Sequence, residues 1–302
     1  MSLWCLRIGV ALLLLGVPLF AQSPGARIPD PESRLPADLS NEARSAKLEA
    51  RGAKAGIPAG MLPDGQPDVQ GFWGAVLGGT VSLTHPMTGG QEFQQRTGGR
   101  TVNNPSRVVD PPDGRVPYQP WAAALQAQQE SAWERPTRPE QIDTQSRCLT
   151  SNVRLFMLPS TFQIIQAPGS VVFIWDDYHA YRVVPLDGRP HAGAAVKLWM
   201  GDARGHWEGN TLVVDTTNLN GKPRMSVVGD FISEHAHLTE RFTFADANTM
   251  TYEVTIDDPT VFTRPWTMRN AEKRRPAEEL WEFACHEGEK SSEHQVPSDQ
   301  NN

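Results

Sequence analysis

The sequence predicts a mainly β protein, an antiparallel barrel or closed sandwich with a long irregular N-terminal layer and one or two short helices. Three observations carry that expectation. Between residues 162 and 285, eight runs with the two-residue alternation of strands follow one another, mostly across short turns. No helical stretch separates these runs, which argues against a βαβ arrangement. The chain also holds 25 Gly and 25 Pro among 302 residues, a density of turn formers that suits short strands and opposes a helical bundle.

Residues 1–21 read as a secretory signal peptide, with Arg7 as the positive start, Ile8 to Leu15 as the apolar run and Ala21 before the cleavage point. The apolar run is shorter than the roughly 20 residues a membrane span needs. No transmembrane anchor is therefore expected after cleavage, and the expected location is periplasmic or extracellular. Residues 22–60 form a polar, Pro- and Ala-rich arm with a possible short helix over 41–54. Residues 61–147 read as an irregular wrapping segment, except for a helix near 120–134 that starts at Pro120 and stops before Pro136.

The barrel domain is expected over 148–290, followed by a disordered tail at 291–302. Its strands are FQIIQ, VVFIWDD, HAYRVVPL, TLVVDTTNL, HLTERFTF, MTYEVTI, VFTRPWTM and ELWEFAC. The ADANT loop makes a hairpin of the fifth and sixth. Cys148 and Cys285 bracket the set and are expected to form a disulfide in an oxidising compartment, with two free thiols as the alternative.

Strand parity selects the first candidate site residues. Leu238, Glu240, Phe242 and Phe244 share one face, as do Met250, Tyr252, Val254 and Ile256, and as do Phe262, Arg264, Trp266 and Met268. If the apolar faces point inward, Glu240 and Arg264 lie inside. There they form either a structural ion pair or a pocket floor in which Arg264 binds an oxygen and Glu240 moves a proton. His191, in PLDGRPHAG, and His237 are the candidate bases, and Asp215 is a residue that could orient a histidine. Tyr178, His179, Tyr252 and Trp266 are the candidate substrate-binding residues.

The expected cofactor set is empty. A divalent metal held by His235 and His237 is the alternative, because HAH resembles the first metal motif of the cupins, although only Leu238 and Thr239 separate it from Glu240. GxSxG, HExxH, Walker and CxxC patterns do not occur, so serine hydrolysis, nucleotide handling and dithiol redox chemistry have no support. The formal charge of −7 gives no basis for nucleic-acid binding.

The blocks PDGQPDVQGFWG, RVVPLDGRPHAG and GHWEGNTLVVDTTNLN occur together with SEHAHLTERF and ELWEFACHE. They resemble a family of uncharacterised secreted bacterial proteins over residues 62–287. That resemblance implies export and a β-rich fold, with no activity to transfer. GxW at Gly71–Trp73 and Gly205–Trp207 is also similar to the opening strand of lipocalin-like (calycin) barrels. The expected function is an enzyme acting on a small organic molecule in the barrel cavity. It would use metal-free general acid–base chemistry as a lyase, isomerase or simple hydrolase. A lipocalin-like binding protein for a small hydrophobic ligand and an envelope-associated structural protein are the other readings.

Overall fold

The computed structural model describes residues 60–76, 82–84, 106–133, 135–149, 152–158, 160–285 and 287. The signal segment, the arm with its 41–54 helix and the 291–302 tail lie outside these residues. Ten strands form one antiparallel sheet: β1 (Gly71–Ala75), β2 (Val108–Asp110), β3 (Thr161–Ala167), β4 (Ser170–Trp175), β5 (Tyr181–Pro185), β6 (Asp202–Glu208), β7 (Thr211–Thr217), β8 (His237–Phe244), β9 (Thr249–Asp257) and β10 (Trp266–Arg274). Among the described residues two α-helices accompany them, α1 (Pro120–Ala132) and the single turn α2 (Asn152–Leu155). The sheet order is β5-β4-β3-β1-β10-β9-β8-β7-β6, with β2 attached to β10, and the sheet curls into a nearly closed barrel. No helix among the described residues is long and apolar enough to cross a membrane.

The order has a topological consequence. Nine strands lie on the path and every adjacent pair is antiparallel, so its two ends, β5 and β6, run in the same direction. They meet without ladder hydrogen bonds. Their approach is close at one point, where a Cβ on Gly205 would come within 2.6 Å of Val184 and 2.9 Å of Leu186. Only glycine lets the facing side chains fill that seam.

The predicted parity of the β8–β9 hairpin is observed. Leu238, Glu240, Phe242, Phe244, Met250, Tyr252, Val254 and Ile256 are all buried. Several predicted elements differ: VFTRPWTM is strand only from Trp266, where β10 begins, and β6 was not predicted. The 61–147 segment, expected to be irregular apart from its helix, supplies β1 and β2, and β1 sits between β3 and β10 at the middle of the sheet. ELWEFAC is not a strand: Trp281 is 73% exposed, and the segment is tied down by a disulfide from Cys285 to Cys148 with Cα atoms 5.8 Å apart. With a sequence separation of 137, these cysteines restrict the unfolded chain strongly.

The centre of the barrel is filled. Phe156, just after α2, is fully buried with its ring centroid 4.6 Å from Tyr252, 5.0 Å from Trp175 and Phe242, 5.3 Å from Phe173 and 5.4 Å from Phe162. Its carbonyl accepts from Asn270 Nδ2 at 3.0 Å. Edge-on packing of this kind adds to area burial. Phe156→Ala is expected to cost about 3–5 kcal/mol in urea unfolding, and a loss below about 1 kcal/mol would mean that the barrel centre tolerates a void.

A buried polar group lies beside this plug. Arg107 donates to Asn270 Oδ1, and Asn270 Nδ2 donates to Glu272 Oε1 at 2.9 Å. Burial pushes the Glu272 carboxyl up to about 8, against the hydrogen bond from Asn270 and the charges of Arg107 and Arg275. The folded protein therefore retains a proton that the unfolded chain releases near its ordinary 4.5. The stability linked to that proton is complete below the unfolded value and is lost as pH rises through about 8. Glu272→Gln, which mimics the protonated acid, is expected to flatten the fall in melting temperature across that alkaline rise. Parallel pH–melting curves for variant and wild type would contradict the assignment.

Candidate functional site

The four expected catalytic residues do not share a pocket. Glu240 points into the barrel and is fully buried. His191 and His237 lie on the outer face, since His237 alternates with the buried Leu238 and Glu240 along β8. Arg264 also lies outside, in the bend before β10, half-exposed and paired with Asp110. The parity expectation failed at Arg264 because Pro265 ends the alternation: Phe262, Trp266 and Met268 are buried as expected, but the chain between them is not yet strand. Tyr252 and Trp266 are core residues. The Tyr252 hydroxyl donates to Glu240 at 3.0 Å, and its ionisation is pushed well up by burial and by the Glu240 charge.

The partner of Glu240 is Arg182 on β5. Arg182 Nη1 donates to Glu240 Oε1 at 2.9 Å, and Nη2 donates to Glu240 Oε2 and to Thr216 Oγ1, the latter at 2.6 Å. Thr216 Oγ1 donates in turn to Glu240 Oε2 at 3.0 Å. The pair therefore reaches from β5, one edge of the open seam, to β7 and β8 behind the other edge. Sequence reasoning missed Arg182 because β5 is polarity-inverted: Tyr181 and Val183 face out at 67% and 47% exposure, while Arg182 faces in. Removing one partner from such a pair strands a buried charge. Arg182→Met alone is expected to destabilise by about 3–5 kcal/mol, and Arg182→Met with Glu240→Leu by much less. A double-variant loss equal to the sum of the Arg182→Met and Glu240→Leu losses in denaturant unfolding would show no coupling.

On the outer face, Asp215 of β7 bridges both candidate histidines. His191 Nε2 lies 2.7 Å from Asp215 Oδ1, and His237 Nε2 is hydrogen-bonded to Asp215 Oδ2. His191 Nδ1 is 3.2 Å from Asp202 Oδ2, so that ring is held between two carboxylates. Although burial works against it, the Ala192 N–H, Arg204 and His191 hold the Asp202 carboxyl below its ordinary range. Both ring nitrogens of His191 are therefore engaged by carboxylates. His237 keeps Nδ1 on the far side of its ring from the carboxylate, an arrangement suited to accepting a proton.

The two histidines of the HAH alternative sit in different settings. His235 is exposed in the turn before β8, and His237 is engaged by Asp215. Among the described residues no group of three His, Cys, Asp or Glu side chains is placed to hold a metal ion.

Tyr178 and His179 line a cleft of about 450 Å³ at the end of the seam, with Tyr181, Arg182, Val183, Leu198, Trp199 and Met200. Both residues have left-handed backbone, with φ of 58° and 50°. That strain in non-glycine residues is sustained by the structure around the rim. Phe283, two residues from the disulfide, packs its ring 5.2 Å from Tyr178, and Cys148 itself lines the cleft. Burial and the charge of Asp177 push the Tyr178 hydroxyl up to about 12, so it remains a donor at neutral pH.

Neither the scan of protein-family models nor the search of curated proteins finds a match to this chain.

Proposed function

We propose that the protein is an exported barrel that binds a small organic molecule in the cleft at the β5–β6 seam. The observation that carries this reading is the polarity inversion of β5, which turns Tyr181 and Val183 outward into an apolar cleft of a size usual for small-molecule sites. With Phe156 filling the barrel centre, the seam offers the ligand space that the interior does not. The apolar leader at residues 8–15 and the Cys148–Cys285 disulfide fit an oxidising compartment outside the cytoplasm.

The test is a titration of the purified protein with the neutral, environment-sensitive dye Nile red. Saturable binding is expected, weakened at least about tenfold by Val183→Lys, which places a charge at an exposed position of the cleft wall. Non-saturable dye binding, or binding indifferent to Val183→Lys, counts against the cleft.

A second reading rests on the Asp215–His237 pair. With Nε2 anchored, Nδ1 could take a proton from a water or from an acidic C–H, the acid–base chemistry of a simple hydrolase, lyase or isomerase. On that reading, His237→Asn abolishes turnover of p-nitrophenyl acetate while leaving Nile red binding intact. A variant as active as wild type removes His237 as the base.

A further inference from the structure

We propose that the Cys148–Cys285 disulfide is a redox modification site: a dithiol reductant opens it, frees the strap of residues 276–285 and loosens the wall of the seam cleft. This rests on the cleft being a binding site and concerns how that site is regulated. Cys148 stands in the cleft lining, and Cys285 closes the far end of the strap. Both cysteines are half-buried. A bridge at the surface, unlike one sealed in a core, is open to thiol–disulfide exchange.

The strap is lightly attached. Residues 276–285 form neither helix nor strand. Their backbone hydrogen bonds among the described residues are local: Glu278 N–H donates to the Arg275 carbonyl at 3.1 Å, Cys285 N–H to the Phe283 carbonyl at 2.9 Å, and Ala284 accepts from Glu287 at 2.9 Å. Trp281 and Phe283 are both exposed, so apolar burial contributes little. Besides the disulfide, the ring contact of Phe283 with Tyr178 seats the strap on the rim. Segments with so few buried contacts open locally at small cost.

Charge works against the docked position. The strap carries Glu278, Glu279 and Glu282, and the turn before Tyr178 carries Asp176 and Asp177. Burial pushes the Asp176 carboxyl up, and the charges of Asp177 and of Glu278 on the strap add to that push. Once the covalent bond is gone, this repulsion favours the released strap. Tyr178 then loses the ring of Phe283, and the left-handed pair Tyr178 and His179 loses a support. Both residues line the cleft, so its wall relaxes with them.

The step balances with the dithiol alone. One of its thiolates attacks a sulfur of the bridge, at Cys148 on the cleft side, and displaces the Cys285 thiolate. The second thiol resolves the mixed disulfide. Two electrons and two protons pass to Cys148 and Cys285, which end as thiols, and the reductant ends as a disulfide.

The test compares oxidised protein with protein reduced by dithiothreitol and capped with iodoacetamide, by hydrogen-exchange mass spectrometry and by Nile red titration. Reduction is expected to speed exchange in peptides covering 176–183 and 276–285, to leave the β8–β9 hairpin unchanged, and to weaken dye binding about fivefold or more. Phe283→Ala, with the bond intact, is expected to speed exchange over 176–183 alone. Exchange unchanged by reduction overturns the proposal, and so does faster exchange throughout the barrel, which assigns the bond to global stability. A Phe283→Ala variant that exchanges like wild type removes the ring contact as the link to the rim. Local release with unaltered dye affinity overturns the coupling to the cleft. Absence of saturable dye binding by the oxidised protein counts against the cleft itself, and the exchange pattern still decides whether the bond holds the strap.

Discussion

The Arg182–Glu240 pair closes this barrel where the backbone does not. Nine strands joined pairwise antiparallel cannot meet antiparallel at their ends, so β5 and β6 come together without a ladder. Side chains do the joining instead. Arg182 reaches from β5 past the seam to Thr216 on β7 and Glu240 on β8, and Val184 and Leu186 pack over Gly205. A buried ion pair is a poor source of stability when an apolar pair of the same volume could replace it. Its value here is directional: the guanidinium fork fixes how far apart the two edges stand and in what register.

That closure separates inside from outside. The interior is occupied by Phe156 and its aromatic shell, and among its polar members are two hydrogen-bonded groups, one around Glu240 and one around Glu272. The candidate groups that the sequence suggests for a barrel cavity lie, His191 and His237 among them, on the outer face instead. The histidine–aspartate cluster sits on the solvent face of β7 and β8, and the cleft is lined by the start of β5 and by Leu198, Trp199, Met200 and Gly201 just before β6. The resemblance to lipocalin-like barrels holds at the level of a mainly antiparallel, nearly closed sheet.

How much of this was legible in the sequence depends on whether side chains reported the pleat. The β8–β9 hairpin alternates cleanly, and its inward face, including Glu240, could be read directly. β6 was missed because its inward positions hold Ala203 and Gly205, too small to mark a buried face, while Asp202, Arg204 and Glu208 resemble a loop. β1 was missed because GFWGA is short and far in sequence from its partners. ELWEFAC has a strand's alternation, but its Trp281 and Phe283 meet solvent and Tyr178 rather than a sheet. At the outer cluster, the roles of His191 and Asp215 as neighbours were only one possibility among several. Their adjacency depends on the loop between β5 and β6 folding back, which no local pattern encodes.

The disulfide joins residues 148 and 285 into a covalent ring that carries eight of the ten strands. The two outside it are β1 and β2, and β1 is inserted between the ring's first strand, β3, and its last, β10. The barrel is thus a hoop with a gap, completed by a five-residue keystone supplied from upstream. The unit that can stand alone must begin before Gly71 rather than at Cys148. A cut anywhere in the long stretch between Ala75 and Cys148 would turn one chain into a receptor ring and its own donated strand.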